Sequence, residues 1–190
     1  DEEELKIVFA FLLSMPGAPF LYYGDEIGMQ HLEIPSVEGG YDRTGARTPM
    51  QWNTGKNYGF SEAEADKLYT QQTLSENAPI VSKRMADAGS LWNEIQKLCK
   101  IRKSFPALCA FGKIHFVYCE PEKYPLVYLR TNGDEKILVV LNPSAKDVTC
   151  PCEYQLGDTI YSLGNPISSK EGMLYVPEQS AGFMKVNSSI

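Results

Sequence analysis

The chain has 190 residues, of which 43% are hydrophobic and 22% are charged. This composition is typical of an ordinary globular protein and excludes a disordered, collagen-like or membrane-spanning chain. Its 18 Lys and Arg residues against 24 Asp and Glu residues give a net charge of −6. An acidic chain disfavours nucleic acid and anionic membranes as partners, so a neutral ligand is expected.

The sequence predicts neither a membrane span nor a metal or cofactor site. Its longest apolar run, residues 7–13, is far shorter than the roughly 20 residues that cross a bilayer. The acidic start at residues 1–4 argues against a targeting segment, which leaves the compartment open and favours the cytoplasm. Five cysteines and two histidines lack the spacing of a metal site, so we expect reduced thiols.

The first predicted element is a helix near the N-terminus, with acidic residues in its first turn. Five apolar residues have the spacing of one helix face: Leu5, Val8, Phe9, Leu12 and Leu13. Because every residue from 7 to 13 is hydrophobic, the helix is expected to be covered on most sides. The prolines in MPGAP, residues 15–19, end it.

A short buried strand is predicted next, at residues 20–23. Its sequence FLYY does not alternate, which is typical of a strand covered on both faces in a parallel sheet. Tyr22 and Tyr23 could stack on a sugar, but tyrosines in such a strand are more often core residues. Asp25 and Glu26 follow the strand end.

A long connection from about residue 30 to 87 has little periodicity, and connections of this length are usually functional or disordered. Its aromatic residues and paired arginines favour function: Tyr41, Arg43, Arg47 and Trp52. A second helix is predicted over residues 89–104, with basic residues near its C-terminal end and Pro106 after it.

The remainder of the chain predicts strands. They are expected at 113–119, 126–130, 137–141, 148–152, 159–163, 173–176 and 182–186, with a hairpin turn over residues 131–135. Regular turns between short strands indicate an antiparallel sandwich. Residues 1–106 contain no second strand with which the predicted parallel strand at 20–23 could pair. We therefore expect the N-terminus to fall within a larger domain.

Several motifs resemble the α-amylase family, glycoside hydrolase family 13. They are PGAPFLYYGDEIGM at residues 16–29, DRTGARTPMQWN at 42–53 and GFS at 59–61. Together they are similar to the last strand and loop of a (β/α)8 barrel in the α-glucosidase, oligo-1,6-glucosidase and trehalose-synthase branch. Tyr58 and Arg84 stand where members commonly have alanine and glutamine, which leaves the subgroup and substrate open.

The resemblance implies a fold in two parts. Residues 1–106 would be the C-terminal end of a (β/α)8 catalytic barrel, and residues 107–190 an antiparallel β-sandwich. The implied activity is that of a retaining glycoside hydrolase or transglycosidase acting on α-glucosidic bonds of short α-glucans or α-glucosides. Its catalytic carboxylates lie on earlier barrel strands of the family, so no residue here is assigned as catalytic and the chain alone is expected to be inactive.

The resemblance gives Arg43 the position of an arginine that hydrogen-bonds the terminal glucose, a role that suits its five donors. The alternative is a surface arginine paired with Asp42 or Glu38. Arg47 is a second substrate-binding candidate, although Arg47 and Trp52 could instead fasten the loop to the barrel rim.

Asp25 and Glu26 are expected to anchor the loop. Neighbouring strand residues point to opposite faces, so this pair could not flank one glycosidic bond. A rival hypothesis for the whole chain is a non-catalytic carbohydrate-binding or interaction sandwich. The partners expected are an oligosaccharide or α-glucoside substrate and, through exposed barrel surface in residues 1–30, other copies in an oligomer.

Overall fold

A computed structural model describes residues 1–35, 43–72 and 77–187. The chain divides into two compact units: Asp1–Phe20 together with the chain from Ile95 onward, and Leu21–Glu94. We call them the sheet unit and the loop unit. This grouping does not test the assignment of residues 1–106 to a barrel end, which stays a prediction. No helix within the described ranges is long and apolar enough to cross a membrane.

Helix α1 spans Glu2–Ser14 and confirms the first predicted element. Asp1 accepts a hydrogen bond from the Glu4 amide at 2.9 Å, and the Glu4 carboxylate accepts one from the Asp1 amino group at 2.8 Å. This capping box satisfies donors that a helix start otherwise leaves unpaired. One face of α1 is buried, whereas Val8 on another face is 53% exposed. The sheet unit covers one face of α1, and the expectation that a larger domain covers most of its sides stays a prediction.

The sheet unit contains eight strands in its described residues. They are β1 (Lys113–Tyr118), β2 (Leu126–Asn132), β3 (Glu135–Asn142), β4 (Val148–Pro151), β5 (Gln155–Leu163), β6 (Ser168–Lys170), β7 (Met173–Val176) and β8 (Ser180–Asn187). A five-stranded sheet has the order β1-β2-β3-β8-β5, a three-stranded sheet has the order β4-β7-β6, and all pairs are antiparallel. Each of the seven predicted strands is present, and β6 was not predicted.

The predicted hairpin joins β2 and β3, but its turn is shorter than expected. Asn132 pairs with Glu135, so the loop consists of Gly133 and Asp134 rather than residues 131–135. Gly133 has φ of 56°, a left-handed conformation that glycine adopts without steric cost.

The two sheets share a hydrophobic core. Alternate residues of β2, β3 and β8 meet residues of β4 and β7 there: Val127, Leu129, Leu138, Val140, Met184, Val186, Cys150, Leu174 and Val176. On the opposite face, Tyr128 and Arg130 of β2 and Ile137, Val139 and Leu141 of β3 are also buried, and α1 packs against β3 and β8. Burial on both faces explains the nearly continuous hydrophobic run of β3.

The C-terminal end of α1 is capped by two arginines that are distant in sequence. Arg102 donates to the carbonyl oxygens of Leu13 and Met15, both at 2.7 Å, and of Gly17 at 2.6 Å. Arg130, which is completely buried, donates to the carbonyl oxygen of Ser14. Helix ends leave carbonyls unpaired and carry partial negative charge, so both guanidinium groups stabilise the end of α1.

Arg130 uses its remaining donors on a second segment. Its guanidinium bonds the carbonyl oxygens of Cys109 at 2.8 Å, Gly112 at 3.2 Å and Lys113 at 3.2 Å. Burial and the like charge of Arg102 lower the pKa of Arg130. The hydroxyl groups of Ser14 and Tyr128 lie 2.6 Å apart beside this group. One buried cation thus joins α1, β1 and the segment before β1.

The strand predicted at residues 20–23 is not formed. No residue in this segment has strand hydrogen bonding, and the side chain of Phe20 is 89% exposed. Strand geometry requires a hydrogen-bonded neighbour, and none of the eight described strands pairs with these residues.

The loop unit contains short helices and irregular segments. Helix α2 spans Val81–Ala86, and helix α3, Leu91–Ser104, begins in this unit. Single 3-10 turns occur at Asp25–Ile27, Thr44–Arg47 and Ala65–Lys67, and a further turn at Lys56–Gly59 contains residues with left-handed backbone angles. A small core of Ile27, Met50 and Val81, with Met29 and Trp92 packed against it, holds the unit together.

Candidate functional site

Both candidate arginines belong to one turn in the loop unit. Arg43 precedes the 3-10 turn Thr44–Arg47 and Arg47 ends it, and both side chains are exposed. The Leu32 amide donates to the Gly45 carbonyl at 3.1 Å. A Cβ on Gly45 would overlap the Leu32 carbonyl oxygen, so only glycine permits this close approach. The two segments therefore fix the backbone that carries the arginines.

Three residues named from the sequence lie outside the described residues. They are Glu38 and Asp42, the alternative partners of Arg43, and the aromatic candidate Tyr41. The structure does place Arg47 near a tyrosine. Burial raises the pKa of Tyr23, the neighbouring Tyr22 raises that pKa further, and the positive charge of Arg47 opposes both. The Tyr23 hydroxyl also donates to the Thr48 carbonyl at 3.1 Å.

Tyr22 and Tyr23 are not core residues of the loop unit. Their ring centroids are 4.7 Å apart, and the side chains are 50% and 42% exposed. The interpretation of these tyrosines as buried depended on the predicted strand and is wrong for the same reason as that strand.

Asp25 and Glu26 bind backbone amides. The Tyr22 amide donates to the Asp25 carboxylate at 2.9 Å, and the Gly24 amide donates to the Glu26 carboxylate at 2.7 Å. These contacts agree with the anchoring interpretation. The argument that neighbouring strand residues point to opposite faces does not apply, because the pair lies in a 3-10 turn rather than at a strand end.

Trp52 fastens its segment through backbone atoms rather than its ring, which is 48% exposed. Its amide donates to the Tyr58 carbonyl at 2.8 Å, and its own carbonyl accepts from Ser82 at 3.0 Å. The neighbouring Gln51 carbonyl accepts from Val81 at 2.9 Å. These bonds tie the end of the arginine motif to the start of α2.

Two clefts lie in the loop unit. The first, which we call the Tyr58 cleft, has a volume of about 450 Å³ and is lined by Gly55, Asn57, Tyr58, Leu68, Gln71 and Gln72 among others. The second, the Thr44 cleft, has a volume of about 430 Å³ and is lined by Ile34, Thr44, Asp66, Leu68, Tyr69 and Gln71 among others.

The Thr44 cleft is adjacent in sequence to Arg43, since Thr44 forms part of its wall. Sequence reasoning did not identify either cleft. The only signal available was the abundance of amide and aromatic residues between positions 51 and 72.

The site offers hydrogen-bond donors, amides and aromatic rings, which suit binding of a polar ligand. Within residues 1–35, 43–72 and 77–187, no group of three or more His, Cys, Asp and Glu residues is placed to hold a metal ion. Asp25 and Glu26 are already hydrogen-bonded to backbone amides.

Several known proteins are similar to this chain in sequence. The trehalose synthase/amylase TreS of Mycobacterium tuberculosis is 37% identical over 111 residues, covering 56% of this chain and 18% of that protein. The oligo-1,6-glucosidase of Halalkalibacterium halodurans is 27% identical over 204 residues, covering 90% of this chain and 35% of that protein.

A solved structure, the trehalulose synthase MutB from Pseudomonas mesoacidophila MX-45, superposes with a TM-score of 0.82 at 20% sequence identity. The match covers 98% of this chain and 38% of that chain, and at this identity it shows a shared fold. The present chain thus spans less than two fifths of the length of each of these proteins.

The family model described as alpha amylase, catalytic domain, matches residues 1–110. This range includes all the motifs on which the resemblance was based. Because it is more than half of the 190 residues, the chain belongs to the alpha-amylase family, glycoside hydrolase family 13.

Proposed function

We propose that this chain is the C-terminal part of a retaining glycoside hydrolase or transglycosidase that cleaves α-glucosidic bonds of short α-glucans or α-glucosides. Family membership over residues 1–110 and relatives named trehalose synthase and oligo-1,6-glucosidase support this class of activity. The observation that carries the proposal is the arginine turn, Arg43 to Arg47, held by Leu32 beside a cleft that Thr44 lines.

In this proposal Arg43 binds the sugar at the end of the substrate. Its planar guanidinium can donate to two adjacent hydroxyl groups at once, which an ammonium group cannot do with the same geometry. Arg47 borders the same pocket and keeps positive charge near Tyr23. The 3-10 turn fixes the spacing of the two side chains.

The catalytic carboxylates belong to other barrel strands in the family, so the 190 residues alone have no hydrolytic activity. Release of p-nitrophenol from p-nitrophenyl α-glucoside by the purified chain tests this directly. Turnover that persists after removal of contaminating glucosidases would contradict it.

The role of Arg43 is tested by Arg43→Ala in the full-length protein. We expect kcat/KM for maltose to fall about 10- to 100-fold, because hydrogen bonds from a charged donor are each worth about 1.5–3 kcal/mol. Arg43→Lys is expected to recover only part of this loss, since it lacks the planar fork.

Lys83→Ala is the matched control, because it removes one exposed positive charge from α2, outside the arginine turn. It should leave kcat/KM unchanged. If Arg43→Ala has the same kinetic profile as Lys83→Ala, Arg43 does not bind substrate.

The comparisons do not favour the alternative of a non-catalytic sandwich. The family match covers residues 1–110 rather than the strands β1 to β8, on which that alternative depended.

A further inference from the structure

Two cysteines of the sheet unit, Cys150 and Cys152, face the same hydrophobic core. Cys150 pairs with Leu174 in the ladder between β4 and β7. The Cys152 amide donates to the Gly172 carbonyl at 2.8 Å, so the ladder continues beyond the end of β4. Residues two apart along an extended strand point to the same face. Both side chains are accordingly buried between the two sheets, with 1% and 5% of their surface exposed.

The extended backbone sets the separation of the two thiols. A strand rises about 3.3 Å per residue, which places the Cβ atoms of Cys150 and Cys152 about 6.6 Å apart. A disulfide needs Cβ atoms about 3.5–4.5 Å apart, so this pair cannot form one without leaving the ladder. Both cysteines are free. Two metal–sulfur bonds of about 2.3 Å in a line hold the sulfur atoms about 4.6 Å apart, a distance that side chains at this spacing can reach.

The surroundings of the two thiols determine which charge the pair can accept. The other buried residues of this core are apolar side chains of β2, β3, β7 and β8. Burial, with a smaller contribution from Cys152, raises the pKa of Cys150 to about 11, and burial also raises the pKa of Cys152. Two thiolates in such a core are stable only when a cation neutralises both of them. A divalent ion gives a neutral complex, whereas a monovalent ion such as Cu(I) leaves one buried negative charge.

The number of available ligands narrows the choice of ion further. Over the ranges that the structure describes, no group of three or more His, Cys, Asp and Glu residues is placed to hold a metal ion. Zinc takes four ligands in structural sites, and calcium and magnesium take oxygen ligands. Thiolates select soft ions, and Hg(II) is a soft divalent ion that two thiolates satisfy in a linear arrangement.

We propose that Cys150 and Cys152 form a two-coordinate binding site for Hg(II) in the core of the sheet unit. Each thiol loses its proton to solvent, and the metal ion forms one bond to each sulfur. Two S–H bonds are thus replaced by two S–Hg bonds without any change of oxidation state. The site does not depend on the function proposed above, because it uses neither the arginine turn nor the clefts of the loop unit.

The metal ion can reach this site when strand β4 opens. This strand has four residues and forms one edge of the three-stranded sheet, so only β7 pairs with it. Short edge strands open locally at a lower free-energy cost than central strands do. Mercury should therefore enter the site more slowly than it reacts with Cys119, which is exposed.

The experiment measures the mercury that the full-length protein retains after incubation with mercuric chloride and excess glutathione, followed by desalting and elemental analysis. Glutathione removes mercury from single thiols, whereas a second protein thiol held nearby keeps the ion bound. Cys150→Ala and Cys152→Ala should each lower the affinity for Hg(II) at this site by at least about tenfold, because each leaves a single thiol. Each variant should therefore retain one mercury ion fewer per chain than the natural protein.

Methylmercury provides a comparison that needs no substitution, so it applies even if a variant fails to fold. It has one open coordination position and cannot bridge two thiols. Under the same conditions the natural protein should retain mercuric ion at Cys150 and Cys152 but not methylmercury. Equal retention of the two mercurials would overturn the proposal.

Cys119→Ala is the matched control, because it removes an exposed cysteine outside the core. It should retain as much mercury as the natural protein. Mercuric ion should also leave the Tm of the natural protein unchanged or raise it, because the folded ladder holds both thiols in place. If Cys150→Ala retains as much mercury as the natural protein, or if mercuric ion lowers the Tm, the folded core does not contain this site.

Discussion

Two pairs of arginines occupy contrasting environments in the two units. In the sheet unit, Arg102 and Arg130 donate to backbone carbonyl oxygens around the end of α1. In the loop unit, Arg43 and Arg47 lie on one 3-10 turn with exposed side chains. The same residue type stabilises the sheet unit where its guanidinium is surrounded by backbone carbonyls, whereas on the exposed turn of the loop unit we propose that it binds substrate.

The largest effect should come from Arg130→Ala. It leaves four backbone carbonyls without their donor and opens a cavity in a completely buried position, which should cost about 3–5 kcal/mol of unfolding free energy. Denaturant unfolding of the full-length protein measures the change. Lys123→Ala, at an exposed position, should change stability by less than about 0.5 kcal/mol. If Arg130→Ala and Lys123→Ala lowered the free energy of unfolding equally, Arg130 would not stabilise the sheet unit. The two pairs of arginines would then no longer differ in this respect.

A smaller effect is expected from Gly45→Ala in the loop unit. The added methyl group overlaps the Leu32 carbonyl, so the arginine turn must shift, at a cost of about 1–3 kcal/mol. We expect faster amide exchange at Leu32 and a higher KM, because Arg43 moves with the turn. Gly89→Ala is the control, since its Cβ would make only an ordinary contact with Asp87 at 3.5 Å. If Gly45→Ala left amide exchange at Leu32 and KM unchanged, the contact between Gly45 and Leu32 would not position Arg43.

The smallest effect concerns the stability contributed by Cys150 in the core between the two sheets, and it is absent at neutral pH. Burial, with a smaller contribution from Cys152, raises the pKa of Cys150 to about 11. The unfolded chain loses this proton at lower pH than the folded chain, so stability should fall as pH rises from about 9 to 11. Unfolding curves at several pH values measure this slope, which should diminish in Cys150→Ala. An identical slope in that variant would show that other groups cause it.

The sequence predicted the elements whose signals are local. Acidic residues in the first turn of α1, helical spacing in α1 and α3, and turns between apolar runs identified both long helices and seven strands. Strand β6 was missed because its sequence, SSK, is polar and exposed. The predicted strand at 20–23 failed because pairing depends on a neighbouring strand, which no local pattern reports.

The candidate site was predicted only as far as its motif extends. The arginine motif identified Arg43 and Arg47, but the two clefts arise from the approach of residues 34, 35 and 44 to residues within 55–72, which spacing does not encode. Tyr58 was noticed only as a departure from the family. Its left-handed backbone depends on hydrogen bonds from Trp52, Asn53 and Gln72, and these require the folded segment.

The capping of α1 has a consequence for synthesis on the ribosome. Ser14 and Arg130 are 116 residues apart, so the end of this helix lacks its buried donor until a further 116 residues have been made. At about 5–20 residues per second, that interval lasts roughly 6–23 seconds. During this time the apolar residues of α1 have no sheet to pack against. A chaperone that holds short apolar segments would find a binding site in α1 and lose it only when β2 is complete.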